Sequence, residues 1–506
     1  MRWPRRATQR ALQDFAWAAV RPEDWRVRGT AWWGSMGSGK SSAFAHYAAE
    51  TLHERWDVTK WLITAPKFVA EVTWPAEFAK WDGLKHLKVD FIGAKDFTLV
   101  PSLVVWRAGD ECEILEGDLR PGEIVLRKGA LALPDKRGSK RGLRQRLQDA
   151  EIAVVAVEFL PWLVKTQGAN WMFDGVCLDE SRMFAAHDSL RTRAVTSACK
   201  KGRVNEMVQL SGKPMPNGYT DLWSQMRLLD GGKRMGRTLT EFHDDWCKPV
   251  SSNGRGQVYK WDVLSGRKAE LAKSLSEIAI NVHHDIGVPL QEVDHYVALP
   301  ERARRVYDEM LATLVAQLSP TQTILSANQA VLAGKLHQIA QGAIYDADKL
   351  VHELHEEKLD RLAELLEGLD GPVLLAYPFK HDLLRLKKRF PRKLRHLGSS
   401  KDVADMIAGK VQLGCVHPAS LSHGVDGIQQ LCNQVVWFGV TSNAEHYEQL
   451  NARVHRPGQK KGTVFVHRLL AQATVDERIA FEVLPNKIGE QDAMLMAVRP
   501  REWRNA

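Results

Sequence analysis

An apolar run at residues 31–47, AWWGSMGSGKSSAFAHY, breaks into glycines and serines and then meets a lysine. Gly34-Ser35-Met36-Gly37-Ser38-Gly39-Lys40-Ser41 satisfies the pattern G-x-x-x-x-G-K-[ST]. Glycines in such a loop let backbone N–H groups turn inward and cradle phosphate oxygens, and a following helix N-terminus adds partial positive charge. Lys40 is then in reach of the β- and γ-phosphates, and the Ser41 hydroxyl is a ligand for Mg²⁺. A second stretch, FDGVCLDESR (173–182), supplies what a bound nucleotide still needs. Asp179 offers a carboxylate to the metal, and Glu180 can orient and deprotonate an attacking water. The bland alternatives are a Gly/Ser-rich turn before a helix and a strand ending in two solvated acids.

The flanks decide between these readings. GTAWW predicts a short buried strand, and SSAFAHYAAETLHERW predicts a helix with Phe44, Tyr47, Ala48 and Leu52 at helical spacing. Val176-Cys177-Leu178 predicts a buried strand that delivers Asp179 and Glu180 at its C-terminal end, where open α/β sheets place ligands. Strand and helix patterns alternate in both halves, which predicts parallel α/β sheets. The chain has 506 residues, and single cores stop growing at roughly 250–300, so two large lobes are expected. The first spans 1–295, with an insertion at about 95–140 and an excursion at about 231–280. The second spans 296–490, with strands GPVLLAY, QLGCVHP, QVVWFGV and TVFVHRLL, and a poorly ordered tail comes last at 491–506.

Composition adds limits. Hydrophobic residues are 44% and charged residues 26%, as in ordinary globular proteins. No apolar run reaches membrane-spanning length, and the basic start MRWPRRATQR has no apolar segment of a secretory signal behind it. The six cysteines form no C-x-x-C pair, so neither a zinc site nor a disulfide framework is inferred, and a cytoplasmic location in a bacterial or phage-infected cell is expected. The net charge of +9 favours a polyanionic partner such as nucleic acid.

The motifs taken in order resemble the Swi/Snf-like branch of superfamily 2 helicases and DNA translocases, most closely its compact phage-type members. The resemblance runs from about residue 5 to about 480. WLITAPKFVAEVTWPAEFAKW (61–81) has the family's strand, Ala-Pro and Trp-x-x-Glu-Phe helix. QLSGKPMPNGYTDLWSQMRLLD (209–230) resembles motif III, HEEKLDRLAELLEGLDGPVLLAYPFKHDLLRL (355–386) the opening of the second lobe, and HPASLSHGVDGIQ (417–429) motif V. YEQLNARVHRPGQKKGTVFVHRLLAQATVDERI (447–479) resembles motif VI with the strand and helix after it.

The resemblance implies two tandem RecA-like lobes with ATP and Mg²⁺ bound in the interlobe cleft, and movement along duplex DNA without sequence preference. It implies that Gln9 reads adenine, with Gln13 a rival, and that Gln449 belongs to the nucleotide site. Arg453 and Arg456 are three apart, so on a helix they share a face and can both act as arginine fingers. Against this stands the reading of an exposed basic helix face.

Three positions depart from the family: Arg182 replaces a histidine, Lys213 a threonine, and Asp426 stands in motif V. Lys213 could reach a phosphate or disturb the contact of motif III with the Asp-Glu box. The insertion predicts a β-hairpin in CEILEGDLRPGEIVLRKG with RPGE as its turn. The next stretch, DKRGSKRGLRQR, carries six Lys/Arg and one Asp, either to track a DNA backbone or as a solvated loop leading into a helix. The leading expectation is therefore a nucleic-acid-stimulated ATPase that translocates on duplex DNA. The alternatives are a DNA-binding or assembly protein with the fold but weak hydrolysis, and a P-loop phosphotransferase, which would not need Arg453 and Arg456.

Overall fold

The computed structural model describes residues 7–19, 27–35, 37–92, 97–106, 112–115, 124–134, 143–200, 203–215, 218–252, 258–282, 286–317, 326–346, 348–420 and 427–497. The chain divides into two compact units. Met1–Trp32, Lys40–Ser211 and Ser224–Arg234 form the first; Trp33–Gly39, Gly212–Trp223 and Met235–Ala506 form the second.

The first unit carries β1 (Arg28–Gly34) up to Trp32, β2 (Trp61–Ala65), β3 (Val89–Ile92), β4 (Phe97–Trp106), β5 (Cys112–Leu115), β6 (Ile124–Pro134), β7 (Ile152–Ala156), β8 (Gly175–Asp179) and β9 (Glu206–Ser211). Six of these strands run in the order β1-β9-β8-β2-β7-β3. The pairs β9–β8, β8–β2, β2–β7 and β7–β3 are parallel. Every residue of β2, β7, β8 and β9 is buried, as expected of parallel strands covered on both faces. Glu206, buried within β9, is held by Arg28 and the Tyr47 hydroxyl. Helix Lys40–His53 packs through Phe44, whose ring meets Trp61 edge-on at 5.0 Å and Trp74 at 6.1 Å.

The insertion is not the hairpin expected. β5 and β6 do not pair with each other; both pair antiparallel with β4, in the order β5-β4-β6. The long β4 offers an edge to each, so two strands adjacent in sequence end up separated by a third. The RPGE turn and residues 135–142 lie outside the described residues, and Leu143–Asp149 is a helix.

In the second unit, helix Leu239–Trp246 opens on a Thr238/Glu241 capping box and leads into an antiparallel pair, β10 (Cys247–Ser252) and β11 (Val258–Val263). Helix Lys268–Leu275 and β12 (Ala279–Val282) come next. The large sheet of this unit uses β13 (Leu290–Val297), and a small antiparallel pair, β14 (Ala343–Tyr345) and β15 (Val351–Glu353), lies apart from it. β16 (Val373–Ala376), β17 (Leu394–His396), β18 (Leu413–Val416), β19 (Gln434–Trp437) and β20 (Val464–Ala471) complete the sheet. Its order is β13-β20-β19-β16-β18-β17, parallel throughout. β13 spans the boundary expected at 295.

The core on one face joins Leu359, Leu362, Leu375, Tyr377, Leu386 and Val436. The stretch expected as a disordered tail is helical through Ala497 in Leu484–Ala497; Leu495 is buried and its carbonyl accepts the Asn281 amide at 2.9 Å. No helix among the described residues is long and apolar enough to cross a membrane.

Candidate nucleotide site

The phosphate loop turns as its glycines demand. Gly37 and Gly39 have φ of 81° and 85°, the left-handed region that side chains rarely adopt. A Cβ on Gly34 would stand 3.0 Å from Ser38 Oγ and 2.7 Å from the Val282 carbonyl, so the loop closes too tightly for any larger residue. Helix Lys40–His53 begins at the loop's end, with Lys40 and Ser41 in its first turn, and its N-terminal amides face the loop side. Met36 lies outside the described residues.

Asp179 ends β8 as the sequence predicts. Its carboxylate is well organised: Oδ2 accepts the Trp74 indole N–H at 2.9 Å and Oδ1 accepts the Glu180 N–H at 3.1 Å. Burial, and after it the Glu180 charge, push the Asp179 carboxyl up to about 7, against the Trp74 bond and the Lys40 charge. Burial likewise lowers the Lys40 ammonium, while Glu180 and then Asp179 pull it back up. These three groups therefore share one electrostatic site. Glu180 has φ 57°, left-handed without being glycine, so the backbone is strained at the residue assigned to handle water. Ser181 next to it is pinned by a 2.8 Å bond to Gln225. Arg182 lies against Glu180, Nε to Oε2 3.6 Å.

The donor set suits Mg²⁺. Ser41 and Asp179 offer hard oxygens, and no group of three or more His, Cys, Asp or Glu among the described residues makes an all-protein cage. Mg²⁺ commonly takes one or two protein oxygens and keeps water and phosphate for the rest.

The arginines do not share a helix. Helix Ala444–Asn451 stops before them. The N–H groups of Arg453 and Val454 bond to Leu450 and Asn451 carbonyls in turns, and a residue before proline, as Arg456 is, disfavours helical backbone. Arg453 is buried, 2% exposed, and Arg456 is half-buried. Gln449, also buried, donates to Glu445 on its own helix at 2.5 Å. Pro457 stands where a Cβ on Gly37 would meet its Cδ at 2.9 Å, so within the second unit the phosphate loop and the arginine segment touch.

Gln9 is buried on helix Ala7–Ala18, and its rival Gln13 donates to the Ala43 carbonyl at 2.9 Å, an anchor for the phosphate-loop helix. Lys213 has a partner that neither sequence expectation named: its Nζ is 2.6 Å from Glu448 Oε1. Gly424 and Asp426 lie outside the described residues. Trp74 is the contributor sequence reasoning passed over. It stood inside the quoted TWPAEF stretch, but its partner Asp179 is 105 positions away, and nothing local signals that bond.

Two parallel α/β sheets, a glycine-turned phosphate loop and an Asp-Glu pair at a buried strand end make a helicase-like ATPase core. The sequence profile of the SNF2-related domain matches residues 34–311, and the chain belongs to this family. Protein p41 of Acyrthosiphon pisum secondary endosymbiont phage 1 is 30% identical over 92% of this chain and 94% of its own length. The uncharacterized ATP-dependent helicase MG018 of Mycoplasma genitalium is 26% identical over 61% of this chain, and an uncharacterized ATP-dependent helicase of Mycoplasma pneumoniae is 25% identical over 61%. The chain spans 29% of the length of each of these two helicases. The Sulfolobus solfataricus SWI2/SNF2 ATPase core in complex with dsDNA aligns over 99% of this chain and 96% of its own, with 17% identity and a TM-score of 0.38.

Proposed function

We propose that the chain hydrolyses ATP at this site and uses the cycle to move along duplex DNA. The observation that carries the reading is the meeting of Lys40, Asp179 and Glu180 in one electrostatic site, with the Asp179 carboxylate buried and held by Trp74 at the end of β8. In this reading the amides of the 34–41 loop hold the phosphates and Lys40 bridges the β- and γ-groups. Ser41 and Asp179 hold Mg²⁺, which when bound neutralises charge on the phosphate oxygens. Trp74 fixes the Asp179 carboxylate in place. Glu180 orients the attacking water and takes its proton. Arg453 and Arg456 meet the charge that develops on the γ-phosphate. Gln9 and Gln449 complete the nucleotide contacts. Sequence-independent contacts to the DNA backbone would suit a protein that must slide, and the net charge of +9 supports such a partner.

A second reading has an observation of its own. The Arg182 guanidinium at 3.6 Å from Glu180 engages the carboxylate that should face water, which favours a DNA-binding or assembly protein with slow hydrolysis.

One experiment separates them: ATP turnover with no nucleic acid, single-stranded DNA, duplex DNA and RNA, each at two salt concentrations. Stimulation by duplex DNA that fades with salt supports the translocase, and triplex displacement then tests movement. Turnover indifferent to every nucleic acid removes the motor. No turnover, with duplex DNA still bound, selects the assembly protein.

A further inference from the structure

Lys213 is the departure from the family that the proposed chemistry leaves unused. It lies two residues past β9, and its Nζ lies 2.6 Å from Glu448 Oε1. The two side chains are only 17% and 27% exposed, so their attraction is screened less than that of a surface pair. Both belong to the second unit.

Glu448 occupies a telling place. It sits in helix Ala444–Asn451, the element that leads into Arg453, and its carbonyl accepts the Ala452 N–H at 2.8 Å as the helix ends. That helix is fixed to the second sheet on one side by two bonds. The Tyr447 hydroxyl donates to Glu292 Oε1 at 2.5 Å, and the Trp437 indole donates to Asn451 Oδ1 at 3.0 Å. Asn443 caps its start by accepting the His446 N–H at 3.1 Å. Glu448 is held instead by a residue from the segment after β9, 235 positions earlier by number (448 − 213). Further along the same segment, Pro457 closes on Gly37 of the phosphate loop.

We propose that Lys213 and Glu448 form a positioning pair that ties the segment after β9 to the helix feeding Arg453, and so sets where the Arg453 guanidinium is offered. Lys213 is a positioning residue here, acting through Glu448 and not on phosphate. The catalytic consequence rests on the ATPase reading above; the structural tie does not. A threonine at 213 would be too short to make it, so the substitution and the acid at 448 form one device.

The test uses the full chain in five forms: wild type, K213R, K213E, E448K and the swapped double variant K213E/E448K. Amide hydrogen exchange over residues 444–456 is read first. Each single reversal should speed exchange there by about tenfold, and the swap and K213R should restore it. With saturating duplex DNA, kcat should fall about tenfold in each single reversal, with KM for ATP changing less than about threefold, and recover in the swap. Unchanged exchange in the single reversals overturns the pair. Restored exchange without restored kcat overturns its role in presenting Arg453. A wild-type protein that binds DNA but turns over no ATP defeats the ATPase reading, while exchange still decides whether the pair holds the helix.

Discussion

Arg182 and Glu180 are bound to each other at the end of β8, Nε to Oε2 3.6 Å, with 18% and 19% of the side chains exposed. A guanidinium in that place competes with water for the carboxylate. Replacing Arg182 by Gln should raise DNA-free ATP turnover severalfold, because Glu180 is then held by one partner fewer. Steady-state kinetics without nucleic acid check this, and a fall in turnover would show that Arg182 orients Glu180 productively.

Glu180→Gln keeps the shape and removes the proposed base. General-base catalysis contributes about 10²–10⁴-fold, so kcat should drop at least about a hundredfold while a fluorescent ATP analogue still binds. Lys40→Ala should weaken binding of the same analogue, which separates the phosphate-holding role from the water-handling one.

Trp74→Phe preserves the packing on Phe44 but deletes the indole bond to Asp179. Outer-shell partners of a metal ligand are commonly worth about 10–100-fold in affinity or activity. The Mg²⁺ concentration giving half-maximal turnover should therefore rise by about that factor, with thermal stability only slightly changed.

Lys358 and Asp476 are both fully buried in the second unit, Nζ to Oδ2 2.5 Å. Lys358 also donates to Gln341 Oε1 at 2.8 Å and to the Phe438 carbonyl at 3.2 Å, and Asp476 accepts the Ala471 N–H at 3.1 Å. Removing one partner strands a charge in the core and should cost about 3–5 kcal/mol. Denaturant titration of Lys358→Met, Asp476→Leu and the double variant measures it. The double should be less destabilised than the worse single.

His355 sets an acid limit. Its Nε2–H donates to the Ile339 carbonyl at 3.0 Å, while Nδ1 has no partner among the described residues. Burial lowers its pKa from 6.5 to about 4. Between those values the unfolded chain binds the proton and the folded chain does not, so stability is full above pH 6.5 and falls as the pH drops toward 4. One such group contributes a slope of at most about 1.4 kcal/mol per pH unit. His355→Gln should flatten urea-midpoint curves between pH 6.5 and 4, and an unchanged slope would assign the acid limb elsewhere, His467 being the next group to examine.

The local structure around the candidate site was legible where the physics is local. The loop from Gly34 to Ser41 declares itself because phosphate binding needs glycines, a lysine and a helix start within eight consecutive positions. β8 and the four strands from GPVLLAY to TVFVHRLL were readable because doubly covered parallel strands are short, mostly apolar runs. Partnerships across long separations were not. Trp74 with Asp179 spans 105 positions and Lys358 with Asp476 spans 118, and no pattern in either segment names the other. The pairing of β5 and β6 with β4 failed for a related reason, since strand alternation predicts a strand but not its neighbour. The spacing of Arg453 and Arg456 suggested a shared helix, but the helix ends at Asn451, before both.

The left-handed backbone of Glu180 sets evolution a trade. A side chain at φ 57° costs about 1–2 kcal/mol that glycine would not incur. Glu180→Gly should thus melt higher than the native chain while losing its turnover. On the proposed function, a selection for heat resistance alone would drift toward that inert form, and only a selection that scores work done on ATP would hold the glutamate in place.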